Sequence, residues 1–104
     1  MVVGICHIGV VIHDNHSLKG KRKVLKRVLE GVKNKFNVSI SEVGAQDMWQ
    51  RAEIGFSAVG SSRQVVNATI DKVINFIEGL HLVDIVEQEV ELINCPLIKG
   101  RYHI

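Results

Sequence analysis

The sequence predicts an α+β domain in which a four-stranded antiparallel sheet carries two helices on one face. Three observations predict it. Apolar residues recur at three- and four-residue steps in two stretches, and they alternate with polar residues in two others that flank a short polar corner. A Val- and Ile-rich run opens the chain, and a further strand-like run follows the second helical stretch. The order is therefore strand, helix, strand, strand, helix, strand. With a right-handed crossover in each strand-helix-strand unit, the economical arrangement is the ferredoxin-like split fold, which leaves the second sheet face bare.

Val2 to Ile12 reads as a buried central strand, with Gly4 and Gly9 as close backbone approaches. Asp14-Asn15-His16-Ser17 supplies a turn, and Ser17 is placed to cap the helix that follows. From Leu18 onward, Leu25, Val28, Leu29, Val32 and Phe36 form one apolar stripe. Lys19, Lys21, Arg22, Lys23, Lys26, Arg27, Lys33 and Lys35 lie between them, so the wet surface of this helix is predicted to be basic. Asn37 to Val43 alternates as a half-buried strand, Ala45 to Trp49 is short enough for a hairpin loop, and Arg51 to Val59 alternates again. Ser61-Ser62-Arg63-Gln64 has the spacing of a capping box. Val66, Ile70, Val73, Ile74 and Ile77 form the second stripe, with Gly79 predicted at its C-cap. Leu82 to Ile93 reads as the last strand, with a bulge expected around Glu87 to Glu91, and Asn94 to Ile104 as a tail without periodicity.

At 104 residues the chain has room for one core, here a domain over residues 1–93 with a tail over 94–104. No apolar run reaches the roughly 18 to 20 residues of a membrane span, because His7, His13 and Asp14 interrupt the first one. That run also lacks a basic leader and a small-residue cleavage site, so no secretion signal is expected. Cys6 and Cys95 make no disulfide framework, and a cytoplasmic location follows as an expectation. The net charge of +2 hides an asymmetry. Residues 1–35 hold eight Lys or Arg against Asp14 and Glu30, a net of +6, whereas the remainder holds five against nine, a net of −4.

Three segments carry a family resemblance: His16-Ser17-Leu18-Lys19-Gly20-Lys21-Arg22-Lys23, Phe36-Asn37-Val38-Ser39, and Glu42-Val43-Gly44-Ala45-Gln46-Asp47-Met48-Trp49-Gln50-Arg51-Ala52. Together they resemble the signature of the YlxP-like family of small bacterial proteins, over Met1 to about Ile93. The resemblance implies a ferredoxin-like fold and a bacterial cytoplasmic protein whose gene lies among those for translation initiation and small-subunit maturation. It implies no catalytic residue.

Two surfaces are candidates for function. Lys19, Lys21, Arg22, Lys23, Lys26 and Arg27 are of the type that neutralises phosphates, with Trp49 and Arg51 as companions, so structured or ribosomal RNA is the expected partner. The competing reading is a merely solvated helix face, and for Trp49 a residue that caps the core with its indole nitrogen bonded locally. The second surface is the bare sheet face, predicted to present His7, His13, Arg51 and Glu53 beside Val3, Ile5 and Val11. A homodimer or a small-molecule-sensing module would use that face. Arg51 and Glu53 are expected to join cross-strand ion pairs there. Of the aromatic residues, Phe36, Phe56, Phe76 and Trp49 do not fall on the outer parity of a central strand, which disfavours stacking of single-stranded bases on the sheet. A metal site is not expected, since two histidines six residues apart on a strand lie about 20 Å apart. Cys6 has no activating neighbour and no phosphate loop or nucleophile elbow is present, so neither an enzyme nor a cofactor is expected.

Overall fold

The computed structural model describes residues 1–96 and Ile98; the rest of the predicted tail, with Tyr102, lies outside the described residues. Six elements follow in order: β1 (Val2–Val11), α1 (Leu18–Lys35), β2 (Ser39–Gly44), β3 (Arg51–Gly60), α2 (Arg63–Gly79) and β4 (Asp84–Asn94). Their sheet runs β2-β3-β1-β4, with every neighbouring pair antiparallel. That is the ferredoxin-like arrangement the element order predicted.

Alternation along the strands decides which face is dry. Cys6, Ile8 and Val10 of β1 and Ala52, Ile54, Phe56 and Ala58 of β3 are buried on the helix side. Leu25, Val28 and Val32 of α1 and Val66, Ile70, Val73 and Ile77 of α2 close over them. Each such Ile or Val stabilises the fold by about 1.5–3 kcal/mol through the area it removes from water. Gly4 shares the dry parity, and here the missing side chain matters. A Cβ at this position would stand 2.5 Å from Val66 Cγ1 and 2.7 Å from Ile70 Cδ1, so glycine lets α2 settle onto β1.

Several boundaries differ from expectation. Ser17 caps α1 as predicted, its Oγ accepting from the Gly20 N–H at 3.0 Å. In α2 the cap is Ser62, whose hydroxyl accepts from the Val65 N–H, so the capping box read from Ser61 to Gln64 does not form. Gly79 still belongs to α2; Leu80 is the C-cap and His81 takes the left-handed conformation, at φ 54°. β2 begins at Ser39, because Phe36 already has extended backbone and closes α1. β4 begins at Asp84 and takes in Asn94. Its bulge sits at Val86, where the register against β1 shifts between Gly9 and Val10. The first residue of the predicted tail is thus part of the sheet. Cys95 continues the pairing, donating its N–H to the Met1 carbonyl at 2.7 Å while the Met1 ammonium donates to the Cys95 carbonyl at 3.1 Å.

Candidate nucleic-acid interface

The outer face of α1 repeats Lys19, Arg22, Lys23, Lys26, Arg27, Lys33 and Lys35, all exposed, with Glu30 the one acidic interruption. From Lys19 to Lys33 this stripe is about 21 Å long at helical rise. None of these cations has an acidic partner within 4.0 Å among the described residues. Their positive field is therefore not cancelled locally.

Lys21 departs from the expectation. It is 2% exposed, turned away from the basic stripe and into the seam between α1 and the β2–β3 loop. Its ammonium donates to the Ala45 carbonyl at 2.6 Å and lies 3.1 Å from Glu42 Oε2, a contact with the distance of an ion pair but without hydrogen-bond alignment. The reason is position. Lys21 is one turn before Leu25 and two before Val28, so the periodicity that buries the stripe also buries residue 21. A buried ammonium demands a charge partner, and β2 supplies Glu42.

The same loop carries Trp49. Ala45, at φ 56°, turns the chain, and its carbonyl also accepts from the Met48 N–H at 3.1 Å. Asn15 Nδ2 donates to the carbonyls of Trp49, at 2.5 Å, and Ser17, while Gln50 Nε2 donates back to the Asn15 carbonyl. The loop is thereby fastened against the turn that starts α1. Trp49 is 52% exposed, so it does not cap the core, and its backbone, not its indole, is what the turn grips. Met48 and Val43 are exposed beside it in sequence.

Arg51 does not join this surface. On the open sheet face its Nη2 meets Glu87 Oε1 at 3.3 Å, and Glu53 Oε1 lies 3.5 Å from His7 Nε2. Both partnerships are cross-strand, as expected, although Arg51 and Glu53 do not pair with each other. His13 lies past the end of β1, in the turn, where its Nε2 meets Asp84 Oδ2 at 2.5 Å. It is therefore at the rim of the open face, not in the strand row with His7.

The charge of the open face is what sequence reading missed. Register places Glu87, Glu89 and Glu91 opposite Gly9, His7 and Ile5, and Glu53 and Asp84 share that face. Arg51 is the only Lys or Arg of the described strands. Glutamates at alternate positions of the last strand were the available signal, obscured because the same stretch tolerates helix. Aliphatics collect at one end, where Val3, Val59 and Ile93 lie side by side. A second missed feature closes the far end of α1. The Phe36 and Phe76 rings meet edge to face at 5.6 Å between centroids, with Lys35 Nζ 5.0 Å from the centre of the Phe76 ring.

Burial pushes the Cys6 thiol up to about 11, so it is no nucleophile near neutrality. Among the described residues, no helix is long and apolar enough to cross a membrane.

A designed protein, Foldit4, shares this fold at 16% identity and a TM-score of 0.51, covering 92% of this chain and all of its own. A dimeric ferredoxin-like protein from an uncultured marine organism is similar at 10% identity and a TM-score of 0.48, covering 93% of this chain and all of its own. In sequence, the chain is 49% identical over 78 residues to the uncharacterized protein YlxP of Bacillus subtilis (strain 168), which covers 75% of this chain and 85% of that one. Residues 3–90 match the model of a protein family of unknown function, DUF503. The unbroken match through β1, the basic helix, the Trp49 loop and most of β4 makes this chain a member of the DUF503 family of YlxP-like bacterial proteins.

Proposed function

We propose that this chain is a cytoplasmic, non-enzymatic accessory factor that contacts structured or ribosomal RNA through the exposed face of α1. One observation carries the reading: Lys19, Arg22, Lys23, Lys26 and Arg27 stand exposed on one helix without acidic partners among the described residues. Unpaired cations in a row suit a phosphate backbone, whose bound counterions they release. Trp49, held at the end of the helix where the stripe begins, is placed to add a stacked base. The gene neighbourhood implied by the family resemblance points the same way.

The test is co-sedimentation with purified small ribosomal subunits over a salt series. Five phosphate contacts would give a slope of log K against log salt of about −3.5 to −4.5. Arg22→Glu, Lys23→Glu and Lys26→Glu together should abolish association while circular dichroism stays unchanged. Lys21 is left alone in this variant, because its loss would mix unfolding with loss of binding. Equal binding by the variant, or no association at low salt, would end the proposal.

We also propose that the chain self-associates. Ile5, Val59 and Ile93 are exposed on the sheet, and among the described residues no strand pairs with the outer edge of β4. A small-molecule module on the open face has weaker support. Arg51 and Glu53 already engage Glu87 and His7, and the depression lined by Ile5, His7, Glu89 and Glu91 is open to solvent.

A further inference from the structure

Two aromatic rings stay half-buried at the far end of α1. Phe36 leaves the helix in extended backbone, and Phe76 reaches it from α2. A Cβ at Gly31 would stand 3.2 Å from Phe76 Cε2 and 3.3 Å from its Cζ, so glycine there lets the ring lie close against the backbone of α1. The rings meet at 75° between planes. In such an edge-to-face pair the ring that offers its edge keeps both faces free of its partner. Beside them opens a depression of about 360 Å³, lined by Lys35, Phe36, Lys72, Asn75 and Phe76.

Its charge sets it apart from the other hollows of the surface. The depression on the open face has Glu89 and Glu91 in its wall, that at the end of α2 has Glu78 and Asp84, and that between α1 and β2 has Glu30 and Glu42. No carboxylate lines the one beside Phe36 and Phe76. Lys35 and Lys72 have no acidic partner within 4.0 Å among the described residues, and Lys35 Nζ stands over both rings, 5.0 Å and 5.9 Å from their centres. Aromatic faces, two ammonium groups and the Asn75 carboxamide together suit a planar heterocycle that carries a phosphate.

Position selects the source of that nucleotide. Lys35 continues the cations of α1, about 24 Å along the helix from Lys19, and Trp49 stands at the opposite end. A structured RNA laid along these cations offers unpaired bases in its loops and bulges, and such bases splay out onto aromatic side chains.

We propose, resting on the RNA reading above, that the depression beside Phe36 and Phe76 receives one unpaired nucleotide of the RNA that follows α1. Its base stacks on the phenyl rings where Lys35 now stands, and the Lys35 and Lys72 ammonium groups hold its phosphate.

The test compares two labelled RNA hairpins, one fully paired and one with a single bulged adenosine, by fluorescence anisotropy at low salt. The chain should bind the bulged hairpin at least about fivefold more tightly. Phe36→Leu with Phe76→Leu keeps apolar packing and should erase that preference, leaving affinity for the paired hairpin unchanged. Lys35→Gln with Lys72→Gln removes no buried side chain; it should weaken the preference and flatten the salt slope for the bulged hairpin by about 1. Circular dichroism verifies the fold of each variant. Equal affinity of the unaltered chain for both hairpins would overturn this site and leave the RNA reading standing. A preference that survives both double variants and vanishes in Trp49→Leu would do the same. No binding of either hairpin would overturn both. Adenosine monophosphate alone should not saturate the shifts of the Phe36 and Phe76 ring resonances below about 1 mM. Saturation at micromolar concentration would make a free nucleotide the occupant and overturn the assignment to RNA.

Discussion

The two wet surfaces of this molecule carry comparable amounts of charge and use it in opposite ways. On the open sheet face, unlike charges from different elements meet: His7 with Glu53 on adjacent strands, Arg51 with Glu87 across the intervening β1, and His13 with Asp84 at the rim. On α1, cations follow one another at helical spacing, and among the described residues no acidic side chain reaches them, except at Lys21. The difference follows from geometry. A sheet places residues of different strands about 5 Å apart, so charges from distant parts of the chain are compared and matched. The outer face of a helix on a two-layer domain has no neighbour, and only its own sequence can neutralise it. Paired charges leave little field for a partner, and what stays unmatched on the open face among the described residues, Glu89 and Glu91, is acidic, so the surface with unmatched positive charge is where a phosphate-bearing partner is best sought.

The sharpest way to break the comparison is within α1, between Lys21 and Lys23. Lys21→Met should cost about 3 kcal/mol, because it strands Glu42 in a largely buried seam. Lys23→Met should change stability by no more than about 0.5 kcal/mol. Urea unfolding of both variants checks this, and similar midpoints would mean that the seam admits water freely.

A second contrast lies between neighbouring residues on opposite sheet faces. Cys6 is fully buried and His7 is exposed. The folded state holds the Cys6 proton more tightly than the unfolded chain does, with a value near 11 against 9.0. Its contribution is thus complete below about pH 9 and is lost as pH rises toward 11, a fall of roughly 2–3 kcal/mol. In Cys6→Ala that alkaline loss should disappear from the stability profile, whatever the cavity costs at neutral pH.

Smaller effects sharpen the picture. Glu30→Lys removes the one interruption of the basic stripe and should tighten RNA binding a few-fold at low salt, with a steeper salt slope. Arg51→Ala should shift stability by about 0.5 kcal/mol or less, since both partners of its ion pair are well exposed. It should also leave RNA binding unchanged, which tests its separation from the α1 surface.

Much of the architecture was legible in the residues. Stripes such as Leu25, Val28 and Val32, and alternation such as Ala52, Ile54 and Phe56, encode which face is dry whatever the rest of the chain does. Caps were less legible, because Ser61 and Ser62 offer the same chemistry one residue apart and only packing of α2 selects Ser62. Half of the candidate site was visible too: the basic stripe could be read, but the burial of Lys21 could not. A lysine is expected in water, and its exception depends on a carboxylate twenty-one residues further on that folds over it.

The sequence by itself determined the element order, the dry faces and the excess of positive charge on the first helix, because periodicity and local composition are properties of neighbouring residues. Only the tertiary structure decided which charges are free. Whether Lys21, Arg51 or Glu53 is available to a partner depends on what another strand places within a few ångströms, and that distance exists only once the sheet has closed.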